Sequence, residues 1–173
     1  MKTLFMHGKK RQIHDWQIRS IEQAGLEAFT LKMQYPENPK KPFLMLRNYI
    51  LANQIEFLIG RSHGGFLGYW LAEELGLPCL LINPNLSPHT QKQITPTTSK
   101  RDCSLCVNVL GMSDEIVNPY RTREFLEKDH SKNPSKILKI KMLENIGHHL
   151  NEKIFSKMVN FTLTEIQKLH SSI

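Results

Sequence analysis

The chain has 173 residues, 40% of them hydrophobic and 23% charged, which suits one soluble globular domain over residues 1–173 with a substantial core. No apolar run reaches the length of a membrane span, and the short basic-then-apolar start lacks the features of a secretory signal. Three cysteines make no disulfide framework, so a cytoplasmic location is the expectation, and a net charge of +7 favours an acidic partner or an anionic substrate.

Taken in order, the predicted elements alternate. A strand at 2–6 leads to a helix at 12–24, which carries Ile13, Trp16 and Ile21 on one face and stops at Gly25. A strand at 27–33 precedes a helix at 42–53 opened by Pro42, a residue favoured in a first turn. A strand at 55–60 and a helix at 64–75 follow, then a strand at 79–83. The remaining candidates are strands at 105–110 and 136–142 and helices at 119–130 and 151–170. Such alternation predicts a parallel sheet covered by helices on both faces, a three-layer α/β/α sandwich. The longest irregular stretch, Pro84 to Ser104, has the length of a functional cover.

The stretch Ile55 to Gly65 carries the chemistry. An apolar run ends in Gly60-Arg61-Ser62-His63-Gly64, the G-x-S-x-G pattern, and an apolar helical pattern follows. A nucleophile elbow needs that context: a strand, a sharp turn presenting a serine hydroxyl, then a helix. The flanking positions must be very small, which Gly60 and Gly64 satisfy, and Gly65 permits close packing of the helix. In any other α/β protein the same residues would be a glycine-rich turn. Here they make Ser62 the candidate nucleophile of a serine hydrolase.

A serine needs a base, and the base needs an orienting acid, in the order Ser, Asp or Glu, His. The strand at 105–110 runs into Gly111-Met-Ser-Asp114, and the strand at 136–142 runs toward Gly147-His148-His149. Residues just past strand ends share one crevice. Asp114 is the candidate acid, with Glu115 one residue further along as its rival. His148 is the candidate base, with His149 as its rival. For the oxyanion, the backbone N–H of His63 and that of Lys9, in the loop Met6-His7-Gly8-Lys9-Lys10, are the candidate donors.

This places Lys9, Lys10, Arg11 and Arg61 near the mouth as candidate substrate- or carrier-binding residues. Residues 1–50 hold nine Lys/Arg against four Asp/Glu, so much of the surplus charge sits beside the chemistry. No nucleic-acid recognition motif accompanies it. Cys103 and Cys106 form a lone C-x-x-C without further zinc ligands, Cys79 reads as a buried strand residue, and neither a metal nor an organic cofactor is expected. The last helix has Ile154, Met158, Phe161 and Ile166 at helical spacing, a core-packing pattern rather than a membrane-binding one.

Elbow, acid, histidine and His7-Gly8 loop, in this order, resemble the α/β-hydrolase superfamily over roughly residues 2–165. Leu4-Phe-Met-His7-Gly8 and Asn83-Pro84 are similar to the compact bacterial esterases of YqiA type. The resemblance implies a minimal fold without a large cap domain, with six parallel strands in the order 2-1-3-4-5-6 and the elbow at the third. It also implies hydrolysis of carboxylic esters or thioesters. The chain further resembles the small pimeloyl-acyl-carrier-protein methyl ester esterases of biotin synthesis, which would make an acidic acyl carrier protein the partner. It departs from their larger members in lacking a helical cap and in placing Arg61 where an apolar residue is common. A hydrolase-like binding protein with a basic surface, and a thioesterase or acyltransferase, are the competing expectations.

Overall fold

The computed structural model describes residues 1–9, 13–34, 40–86, 105–132 and 134–171. The order along the chain is β1 (Lys2–Met6), α1 (Asp15–Gln23), β2 (Glu27–Thr30), α2 (Lys40–Asn53), β3 (Phe57–Arg61) and α3 (His63–Leu75). Then come β4 (Cys79–Ile82), β5 (Leu105–Gly111), α4 (Pro119–His130), β6 (Ile137–Leu143) and α5 (Glu152–Ser171). The strands form one six-stranded, all-parallel sheet in the order β2-β1-β3-β4-β5-β6.

Alternation along each strand divides the core. Leu4, Met6, Leu58 and Leu81 pack with Leu46 of α2, Phe66 and Trp70 of α3 and Leu126 of α4. Phe5, Phe57, Ile59, Leu80 and Val107 point the other way, to Ile21 of α1 and to Phe155, Met158 and Val159 of α5. Buried on both faces, the central strands read as continuous apolar runs. Among the described residues no helix is long and apolar enough to cross a membrane.

Several boundaries differ from the sequence pattern: α2 begins at Lys40 rather than at Pro42, most others move by one residue, and three have a clear local reason. The strand expected at 27–33 ends at Thr30, where its pairing with β1 stops at Phe5. The chain then turns, and the Met33 N–H donates to His7 Nε2 at 3.1 Å. The strand expected from residue 55 starts at Phe57, because the Ile55 N–H closes the end of α2 by donating to the Ile50 carbonyl at 3.0 Å. The first helix starts at Asp15, where the His14 N–H donates to Gln17 Oε1 and the Gln17 N–H to the His14 carbonyl. Gly25, at φ +80°, takes the left-handed position after its last turn.

At the amino end of the sheet a polar cluster is buried. Lys136, 2% exposed and just before β6, has its Nζ 2.8 Å from Glu73 Oε1 and 2.9 Å from the Tyr69 hydroxyl. That hydroxyl donates to Asp129 Oδ2 at 2.5 Å. Cys79 and Cys106 lie side by side on β4 and β5, with sulfurs 3.5 Å apart and not joined in a disulfide.

At the other end, α3 is pressed against β1. A Cβ on Gly60 would stand 2.6 Å from the Gly64 carbonyl oxygen. One on Gly64 would strike the Met6 carbonyl oxygen and lie 2.5 Å from that of His7. Overpacking against backbone has no cheap relaxation. Gly64→Ala should therefore destabilise the fold by about 3 kcal/mol, read from the urea midpoint, and an unchanged midpoint would show that the helix is free to shift.

Candidate active site

The carboxyl ends of β1, β3, β4, β5 and β6 converge on one edge of the sheet, and the site is built there. Ser62 sits between β3 and α3 with φ 53° and ψ −118°, a conformation rarely adopted by a residue with a side chain. Its N–H donates to the Ile82 carbonyl at 2.9 Å, and its carbonyl accepts from Phe66 and Asn85 at 3.0 and 3.1 Å. The strain is thus held by bonds to both neighbouring segments.

Asp114 is 8% exposed and both of its oxygens are engaged. Oδ1 accepts from the N–H groups of Ile116 and Val117 at 2.8 and 2.9 Å, and Oδ2 lies 2.7 Å from His148 Nδ1. The rivals go elsewhere: Glu115 is exposed, and His149 Nδ1 lies 3.3 Å from Arg61 Nη1. The pairing of β5 with β6 continues past both strand ends. Met112 donates to the Leu143 carbonyl and Ser113 to that of Ile146, each at 2.9 Å. This continued ladder delivers the carboxylate loop to the histidine loop.

Ser62 and His148 border one cavity of about 210 Å³, with Gly8, Lys9 and Arg61 on one side and Ile116 and His149 on the other. A larger groove of about 350 Å³ between α4 and β6 shares none of these residues. Gly8 approaches Ser62 so closely that a Cβ there would be 3.3 Å from Ser62 Cβ. His7 is fully buried and its Nδ1 lies 2.6 Å from the Gly8 carbonyl oxygen. With Nε2 accepting from Met33, Nδ1 is the donor. Because the peptide is planar and trans, the Lys9 N–H points away from His7. Lys10 and Arg11 lie outside the described residues, as does Cys103, and among the described residues no cluster of His, Cys, Asp and Glu could hold a metal.

Two features of the site were not read from the sequence. Asn83, at the end of β4 with φ 43° and 2% exposed, spans the whole arrangement. Its Oδ1 accepts from the Gly111 N–H at 2.7 Å, and its Nδ2 donates to the carbonyls of Gly147 and His148, both at 3.1 Å. The signal was an Asn at a strand end, a residue type that tolerates positive φ. The second feature is the His63 ring, 7% exposed beside Phe66, which burial and the nearby Lys9 charge hold down to about 4.

The sheet and the site together define the class as an α/β-hydrolase fold, with a serine elbow after β3 and a carboxylate–histidine pair after β5 and β6. The profile of the uncharacterised protein family UPF0227 matches residues 8–141, and the chain belongs to that family. No curated protein matches the sequence. Among solved structures, it is similar to a Xanthomonas campestris pv. campestris protein assigned to the alpha/beta hydrolase superfamily, at 12% identity and TM-score 0.69, covering 95% of this chain and 97% of that one. Est1E from Butyrivibrio proteoclasticus aligns at 14% identity and TM-score 0.72, over 96% and 88%. The esterase domain of a Rhodothermus marinus protein aligns at 14% identity and TM-score 0.62, over 92% and 83%. Likeness at these identities shows the fold, not the reaction.

Two outcomes follow from the buried groups. Asn83→Ala would leave the Gly111 N–H and two loop carbonyls without their partner. It should cost about 2–4 kcal/mol in denaturant unfolding, and a loss below 1 kcal/mol would show that the loops stand without the clamp. His63 binds its proton in the unfolded chain near 6.5 but in the folded one only near 4. Its contribution to stability is therefore present at neutral pH and lost as the pH falls through that window, by up to about 1.4 kcal/mol per pH unit. His63→Gln should flatten the acid slope of stability between those limits, and an unaltered slope would rule out this role.

Proposed function

We propose that the protein is a serine carboxylesterase that works through an acyl-enzyme. One observation carries this reading: Ser62, on a strained elbow, borders the same cavity as His148, whose Nδ1 lies 2.7 Å from Asp114 Oδ2. With Nδ1–H donating to the carboxylate, His148 Nε2 is left as an acceptor for the serine proton.

The reaction then runs in two halves. Ser62 Oγ attacks the ester carbonyl as His148 takes its proton. Asp114, whose other oxygen accepts two backbone N–H groups, stays ionised and stabilises the imidazolium. The backbone amides of Lys9 and His63 hold the oxyanion, and the orientation that His7 imposes on the Gly8–Lys9 peptide supports this role for Lys9. The C–O bond to the alcohol breaks and the alcohol leaves with the proton from His148. Water, deprotonated by His148, attacks the acyl carbon; the bond to Ser62 Oγ then breaks, His148 returns the proton to that oxygen, and the acid leaves. A thiol leaving group would make the protein a thioesterase, and an acceptor other than water an acyltransferase.

A finer form of the reading makes the substrate a methyl ester of a pimeloyl chain on an acidic acyl carrier protein. Its support is the exposed Lys9 at the mouth of the cavity, placed to meet acidic groups.

The test is turnover of p-nitrophenyl esters of graded chain length, with labelling by a fluorophosphonate located by peptide mass spectrometry. The label should fall on Ser62, and Ser62→Ala and His148→Ala should each lower kcat by about six orders of magnitude. Hydrolysis that survives Ser62→Ala would overturn the proposal. A folded protein that turns over no ester and takes no label would instead be a hydrolase-like binding protein.

A further inference from the structure

Among the described strands β6 pairs with β5 alone, so its other side is an open edge of the sheet. The Leu143 carbonyl accepts from the Met112 N–H, so Leu143 and the residues alternating with it turn their backbone polar groups to β5. Leu138, Ile140 and Met142 therefore turn their N–H and C=O groups outward. The same three side chains, half-buried, line a groove of about 350 Å³ whose other wall is Arg123, Glu127 and His130 of α4. One row is spaced i, i+2, i+4 along a strand, and the other i, i+4, i+7 along a helix. Outward backbone groups beside an apolar row and a helix wall are what an added strand needs: hydrogen bonds along its edge and pockets for its alternate side chains.

The opposite face of β6 carries positive charge. Lys139 Nζ lies 2.5 Å from Glu165 Oε2, and Lys141 Nζ lies 4.6 Å from the centre of the Phe161 ring. Among the described residues Lys141 makes no ion pair. Lysines on an edge strand discourage pairing with strands that bring like charge. Two copies of this chain pairing about Ile140 would set Lys139 of each opposite Lys141 of the other, which is unfavourable. A strand with acidic residues at those positions would be attracted instead.

We propose that the groove between α4 and β6 docks an extended segment of a partner protein in which apolar and acidic residues alternate. The segment adds a strand to the sheet beside β6. Its apolar side chains enter the groove against Leu138, Ile140 and Met142, and its acidic ones face Lys139 and Lys141. Strand β6 has seven residues, about 23 Å at 3.3 Å each, so a heptapeptide covers it. The groove shares no residue with the Ser62 cavity, and the docking is independent of the hydrolase chemistry.

The probe is the capped heptapeptide Glu-Val-Glu-Val-Glu-Val-Glu, titrated into the full chain with backbone NMR chemical shifts as the readout, beside its counterpart with Lys in place of Glu. Two further peptides carry N-methyl groups, one on the valine nitrogens and one on the glutamate nitrogens. In an added strand one set of nitrogens faces β6 and the other faces away. The acidic peptide should shift the amides of Leu138, Ile140 and Met142 and bind at least tenfold more tightly than the basic one. Lys141→Glu should cut that preference at least fivefold. One N-methylated peptide should lose at least tenfold in affinity while the other keeps it. No shift at these amides with millimolar acidic peptide overturns the proposal. Equal binding of the acidic and basic peptides, or equal effects of the two methylations, overturns it as well. Self-association that shifts the same three amides as protein concentration rises would assign the edge to a second copy, and that too overturns it.

Discussion

A single carboxamide holds together the edge of the sheet that carries the candidate site. Asn83 leaves β4 beside the elbow, and its side chain joins the end of β5 to the loop after β6. Three segments far apart in sequence are thereby held within one hydrogen-bonded unit. The bonds are made at 2% exposure, where water does not compete well. The positive φ of Asn83 is part of this arrangement, because it lets the backbone N–H reach the Val109 carbonyl at 2.8 Å while the side chain faces the loops. The 2.7 Å approach of His148 to Asp114 depends on that frame.

Much of this edge was legible because each candidate side chain follows a strand. Apolar runs located the strands, and the residues after β3, β5 and β6 then named Ser62, Asp114 and His148. The strand order was a different matter. Alternation implied a parallel sheet, but the order came from the resemblance, since hydrophobic runs carry no information on which neighbours pair. The choice between His148 and His149 needed coordinates, because adjacent histidines differ in direction rather than in type.

What stayed hidden was polar and non-local. Glu73 lies within a helix that reads as apolar, and Lys136 opens a strand that lies at the edge of the sheet. Both are 2% exposed and meet only because α3 and β6 converge. Asn83 was visible as half of an Asn-Pro pair, yet its partners lie 28 or more residues further along the chain. Lys10 and Arg11, which the charge pattern brought to the mouth, lie outside the described residues, so of that basic run only Lys9 has a place in the site.

Helix α3 is a rod clamped at both ends. Its first turn is wedged against β1 through Gly64, and its third turn is anchored through Glu73 and Tyr69 to Lys136. The two anchorages are separated by about 14 Å along the axis, nine residues at 1.5 Å each. Neither end can slide without breaking backbone contact at one or a buried ion pair at the other. The positive-φ backbone of Ser62 therefore has no route to relax by helix translation, and a salt link at the opposite end of the sheet serves as the counterweight that keeps the serine raised.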